Sequence, residues 1–105
     1  MLKIMLEARG HIIVGVTFNG LAAIELYREL VEKPKIVLMD YRMPIKNGLE
    51  ATMEILQLDP SAIIIFATAD KEIKKEAIKM GAFCVLKKPF DVDDLLHSIA
   101  RAVKM

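Results

Sequence analysis

Asp40, Thr68 and Lys88 are the side chains in this sequence whose types and spacing could do chemistry together. Each directly follows, or nearly follows, a short apolar run: Ile36 to Met39, Ile63 to Ala67, and Cys84 to Lys87. If those runs are neighbouring parallel strands, their carboxyl ends share one edge of a sheet, where reacting groups collect in open α/β folds. A carboxylate, a hydroxyl and an ammonium would then converge. That trio suits capture of a phosphoryl group. The carboxylate attacks phosphorus, while the ammonium and hydroxyl hold the equatorial oxygens as charge spreads over them. Taken singly, each residue has a plainer reading. Asp40 could be a turn or cap residue, Thr68 strand-end filler, and Lys88 a solvated lysine like Lys87.

The elements that must position the trio are legible from hydropathy. Four runs, Ile12 to Val16, Ile36 to Met39, Ile63 to Phe66 and Cys84 to Leu86, are continuously apolar rather than alternating. Such runs are expected of strands buried on both faces, as in a parallel sheet between helices. They begin 21 to 27 residues apart, enough for a helical crossover in each gap. The expected order is therefore β-α-β-α-β-α-β, with right-handed crossovers. Leu21 to Glu32 reads as a helix stopped by Lys33-Pro34. Leu49 to Leu58 reads as a second, closed by Asp59-Pro60. Lys71 to Met80 reads as a third, with Asp70 as N-cap and Gly81 beyond its end. The last begins after Asp91 and places Val92, Leu95, Leu96, Ile99 and Val103 on one face. Asp93 and Asp94 at its start, and Arg101 and Lys104 at its end, match its dipole. Met1 to Ala8 reads as a further short helix.

Composition narrows the classes. The 105 residues are expected to form a single domain, and at 54% hydrophobic it can bury a core. Fifteen basic and 14 acidic residues give a net charge of +1, which offers no surface for nucleic acid. The longest purely apolar stretch, Ala62 to Ala67, falls far short of the ~20 residues that span a bilayer. The one cysteine, Cys84, is expected to be an inert buried thiol. A reducing, cytoplasmic setting follows as the expectation. His11 and His97 lack a metal-ligand constellation.

The stretch Met39-Asp40-Tyr41-Arg42-Met43-Pro44-Ile45-Lys46-Asn47-Gly48 resembles the phosphoacceptor segment of response-regulator receiver domains, which has Asp, two residues, Met-Pro, three residues and Gly. Ala67-Thr68-Ala69 resembles the hydroxyl-bearing switch segment of that family, and Lys88-Pro89-Phe90, preceded by Gly81-Ala82, its terminal lysine segment. The resemblance covers the entire chain. It implies a doubly wound parallel sheet of flavodoxin-like type, in strand order 2-1-3-4-5. It implies a two-component phosphorelay role: a histidine kinase phosphorylates Asp40, and the domain switches and signals to a downstream protein. It implies no enzyme activity beyond the domain's own phosphorylation and autodephosphorylation.

By the same resemblance Thr68 and Lys88 would bind the phosphoryl group, with the backbone N–H of Ala69 as a further donor. Arg42 and Asp70 would modulate dephosphorylation. Plainly read, those two could form a surface salt bridge. Mg²⁺ would be held by Asp40 and the backbone carbonyl of Arg42, and the Lys88-Pro89 bond would be cis.

The sequence departs from the family twice. The family's first strand, ending in an acidic pair that holds Mg²⁺, is absent from it. Since Mg²⁺ prefers six oxygens and usually more than one carboxylate, its binding is expected to be weak or absent. The family's usual switch aromatic is replaced by Val85; Phe83, two residues earlier, is expected in the core on the same face. The alternative reading is a receiver-like interaction module that takes neither Mg²⁺ nor phosphate. A missing central strand would forfeit on the order of 10 kcal/mol of apolar burial. Either Ile12 to Val16 closes against Ile36 to Met39, or the chain associates as a homo-oligomer or strand-swapped dimer. Association is the expected outcome.

Overall fold

A computed structural model describes residues 2–104. The elements, in chain order, are α1 (Leu2–Ala8), α2 (Gly20–Glu29), β1 (Val37–Asp40), α3 (Gly48–Leu58), β2 (Ile64–Thr68), α4 (Lys71–Met80), β3 (Cys84–Lys87) and α5 (Val92–Val103). Met1, placed in the first helix by the sequence pattern, lies outside the described residues. The sheet is three-stranded and parallel, in the order β1-β2-β3. Each strand is thus paired with its neighbour in the chain.

The continuous apolar runs account for the layering. Every residue of β2 is buried, because helices cover both faces. On one face Ile64 and Phe66 join Ile24, Tyr27, Met39 and Ile55 in a core beneath α2, α3 and α4. On the other, Ile65 packs with Leu6, Leu86 and Leu95 beneath α1 and α5. Alternate β2 residues therefore serve opposite cores, as the pleat requires.

The helix starts are capped by side chains. Asp70 accepts from the amides of Glu72 and Ile73. Asp91 and Asp94 form a reciprocal box at the start of α5, which satisfies two orphan donors. Asn47 and Glu50 form a second such box at α3, and Asn19 caps α2 by accepting from the Ala22 amide. At the other end, α2 stops at Glu29, three residues earlier than the sequence pattern gives. The Lys33 ammonium reaches back to the carbonyls of Tyr27, Arg28 and Leu30. These terminal carbonyls thereby gain the partner that another helical turn would have supplied.

One expected strand does not form. Residues 12–16 form no regular secondary structure, and none of residues 12–18 takes part in a backbone hydrogen bond among the described residues. Ile12 is 87% exposed and Phe18 82%. The segment does not close against β1. Its apolar character makes it suitable for burial, but a strand also needs a neighbour. The implied fold places one more strand between this segment and β1, and no described segment occupies that place. The outer edge of β1 is accordingly unpaired as well.

Candidate functional site

Sheet register brings the three chemistry-bearing residues together. Asp40 pairs with Ala67, and Thr68 with Lys87. Beyond the strands, the Lys88 amide donates to the Thr68 carbonyl at 3.1 Å and the Tyr41 amide to the Ala67 carbonyl at 3.2 Å. These bonds carry the ladder one step past the ends of β1 and β3. As a result Lys88 Nζ reaches Asp40 Oδ1 at 2.5 Å, across 48 residues of sequence. The pair is half-exposed, with 39% of the Lys88 side chain and 46% of the Asp40 side chain accessible. The second Asp40 oxygen takes no protein donor among the described residues. A carboxylate thus faces solvent with a cation already beside it.

Thr68 is buried, and its hydroxyl accepts from the Asp70 amide at 3.1 Å. That bond fixes the turn leading into α4. The hydroxyl proton is left to donate to a group placed beside Asp40. Ala69 is exposed at the same turn. The Lys88-Pro89 bond is cis.

Other expected site residues stand apart. The Arg42–Asp70 salt bridge does not form: Arg42 is exposed, and Asp70 is engaged as the cap of α4. A carboxylate that accepts two helix amides is already charge-compensated. Val85 is half-buried and packs into the core that holds Phe66 and Tyr41. Phe83 precedes β3 rather than sharing its face with Val85, and its ring lies under the Arg101 guanidinium of α5 at 5.5 Å. It is half-buried rather than part of either core. Cys84 is half-buried against the α5-side core.

The residues present do not fit a Mg²⁺ site. The described residues hold no cluster of three or more metal-ligating side chains. Asp40 offers one carboxylate, and one of its oxygens is paired with Lys88. Octahedral Mg²⁺ asks for more oxygen than this.

Two glycines at the site could not be assigned a role from sequence alone. A Cβ on Gly48 would stand 2.2 Å from the Asp40 carbonyl, and one on Gly20 2.2 Å from the Lys46 carbonyl. Between them runs the acceptor loop, residues 41–47. It is closed by the Gly48 amide donating to the Tyr41 carbonyl at 2.9 Å. The available signal was the dipeptide itself: Asn19-Gly20 and Asn47-Gly48 both place a capping residue before a residue without a side chain.

Comparison with known proteins matches residues 1–100 to the family described as response regulator receiver domain. The chain belongs to that family. This receiver domain is 39% identical to the chemotaxis protein CheY of Thermotoga maritima over 106 residues, covering 99% of this chain and 87% of that protein. It is equally 39% identical to protein CcdB of Bacillus subtilis, over 94% of this chain and 82% of the other. Among solved structures, a CheX–CheY–BeF₃–Mg²⁺ complex from Borrelia burgdorferi superposes with a TM-score of 0.88 at 22% identity. That match covers 96% of this chain and 78% of the other, and establishes the flavodoxin-like receiver fold. No helix among the described residues is long and apolar enough to cross a membrane.

Proposed function

We propose that this receiver domain is the phosphoacceptor of a cytoplasmic two-component system, with Asp40 as nucleophile. The supporting observation is the Asp40–Lys88 contact at the carboxyl end of the sheet, where the Lys88 amide also bonds the Thr68 carbonyl. In the reaction an Asp40 oxygen forms a bond to phosphorus as the P–N bond of a kinase phosphohistidine breaks. The departing imidazole leaves as the neutral ring, its other nitrogen already carrying a proton. Lys88 and the Thr68 hydroxyl take up the equatorial oxygens, offsetting repulsion between the carboxylate and the incoming phosphoryl group. The Ala69 N–H serves as a further donor, and Arg42 and Asp70, two residues beyond Asp40 and Thr68 in sequence, modulate loss of the group. A downstream protein then reads the altered Thr68 turn.

The test is incubation of the protein with acetyl phosphate and Mg²⁺, followed by intact mass. One phosphoryl group, labile at alkaline pH and missing from Asp40→Asn, is expected. Uptake by Asp40→Asn at the wild-type level and with the same lability overturns the assignment. A second reading, an interaction module without phosphate chemistry, is favoured by the lack of a metal-ligating cluster among the described residues. It predicts no uptake by the wild type and no Mg²⁺ response of the Asp40 signals in NMR.

A further inference from the structure

The sequence pattern presents α2 as scaffold, but its first turn is bonded to the acceptor loop. The Gly20 amide donates to the Lys46 carbonyl at 3.0 Å, and the Leu21 amide to the Ile45 carbonyl at 3.1 Å. Both accepting residues are left-handed, Ile45 at φ 49° and Lys46 at φ 72°. Neither is a glycine, and Ile45 is β-branched, so this conformation is costly in isolation. Ile45 is exposed and gains nothing from core burial that would offset the cost.

Other bonds hold the loop in place from the opposite side. The Lys46 ammonium pairs with the Glu54 carboxylate of α3, and Asn47 caps that helix. Strain of this kind persists only where the surroundings over-determine it. Here the determinants come from two helices, and one of them is separated from Asp40 by the whole of β1 and its preceding turn.

We propose that Gly20 is a positioning residue for the phosphoacceptor. The first turn of α2 clamps Ile45 and Lys46 in the left-handed conformation and so fixes the loop that leaves Asp40. The absence of a side chain at Gly20 is what permits the clamp. A Cβ there would meet the Lys46 carbonyl oxygen at 2.2 Å and its carbonyl carbon at 2.8 Å. These are backbone atoms, unable to rotate aside as a side chain could. Gly20→Ala must therefore push the loop away from α2, breaking both amide bonds. Because the Gly48 side of the loop abuts the Asp40 carbonyl equally closely, the displacement is passed to Asp40.

This inference rests on the reading of Asp40 as phosphoacceptor, and the experiment separates the two. Wild type, Gly20→Ala and Asn19→Ala are compared at a temperature where all are folded. Asn19→Ala removes the α2 cap, whose side chain accepts from the Ala22 amide at 2.7 Å, and so weakens the same helix without entering the loop.

Two readouts are taken: the rate of acetyl-phosphate labelling, and the backbone NMR signals of residues 41–48. Gly20→Ala is expected to slow labelling about tenfold and to move the Ile45 and Lys46 signals out of their left-handed positions. Asn19→Ala is expected to stay within twofold of wild type, with those signals unmoved. Equal slowing by both variants, or a wild-type rate and unmoved loop signals in Gly20→Ala, overturns the proposal. If the wild type takes up no phosphoryl group, the phosphoacceptor reading fails, and the clamp is then judged on the loop signals alone. Should Gly20→Ala not fold, Leu21→Pro deletes the donor to Ile45 at a helix position that tolerates proline. Unmoved loop signals in that variant overturn the proposal equally.

Discussion

Residues 12–16 and the strand β2 are written in nearly the same alphabet, and the fold treats them in opposite ways. Ile-Ile-Val-Gly-Val and Ile-Ile-Phe-Ala-Thr both open on a run of large apolar residues. The second lies between two partner strands and two helical layers, with every residue buried. The first has no partner strand, and Val14 and Val16 are 50% and 56% exposed. Hydropathy states which segments benefit from burial. Burial itself is conferred by neighbours, which come from elsewhere in the chain.

The widest separation between the two regions is expected in stability. Phe66→Ala should cost about 3–5 kcal/mol, comparable to much of a small domain's total, and should leave the chain largely unfolded by far-UV circular dichroism at 37 °C. Val14→Ala should stay within about 0.5 kcal/mol in urea unfolding. A Val14→Ala cost like that of Phe66→Ala would mean that residues 12–16 are packed after all, and the contrast would collapse.

A second test asks whether the unpaired run finds its partner in another molecule. An open edge at β1 beside an unpaired apolar segment is a template for pairing between chains. Light scattering should show concentration-dependent association of the wild type. Val14→Lys should return it to monomer, with monomer stability again changed by less than about 0.5 kcal/mol. A wild type that stays monomeric at high concentration removes this consequence of the contrast.

The smallest effect concerns pH, and it belongs to the well-packed region. Tyr27, a buried residue of α2, donates to Asp59 Oδ2 at 2.6 Å. Burial, followed by the Asp59 hydrogen bond and charge, holds the Tyr27 hydroxyl in its protonated form to higher pH than usual. Its contribution is complete below the ordinary tyrosine value near 10 and is lost as pH rises beyond it. Asp59 is held below the usual carboxylate range, first by the Ser61 hydroxyl, then by Tyr27 and the Ser61 amide. Its contribution is complete above about 3.9 and is lost as pH falls below. Tyr27→Phe should cost about 1 kcal/mol at neutral pH and flatten the alkaline limb of a melting-temperature profile. An unchanged alkaline limb would place the titration elsewhere.

How far the sequence can be read follows from the same contrast. Helices α3, α4 and α5 were legible to within a residue because their stop and start signals are local: Asp59-Pro60, Asp70, Gly81 and Asp91. Asp40, Thr68 and Lys88 were legible as a group because parallel strands deliver their carboxyl ends to one edge. Residues 12–16 were misread as a strand because pairing is not a local property. The end of α2 was set by Lys33, which folds back onto it from just before Pro34. The roles of Gly20 and Gly48 were hidden by convention. An Asn-Gly pair ordinarily signals a tight turn; here both pairs open helices, and their glycines make room for another segment's backbone. Arg42 and Asp70 were joined on paper by proximity to the site, but the cap at α4 had the prior claim on Asp70.

The strand order carries a consequence for synthesis. Since β1, β2 and β3 lie side by side in the order in which they are translated, each can dock on its predecessor as soon as its crossover helix has cleared the ribosome. Domains build from the amino terminus at ~5–20 residues per second, so seconds separate successive pairings. Residues 12–16 emerge before all three strands, and none of the later-made described residues pairs with them. Apart from Ile13, which packs against the core beneath α1 and α5, this apolar run therefore stays without a strand partner throughout assembly, and Ile12, Val14 and Val16 remain an apolar surface open to solvent.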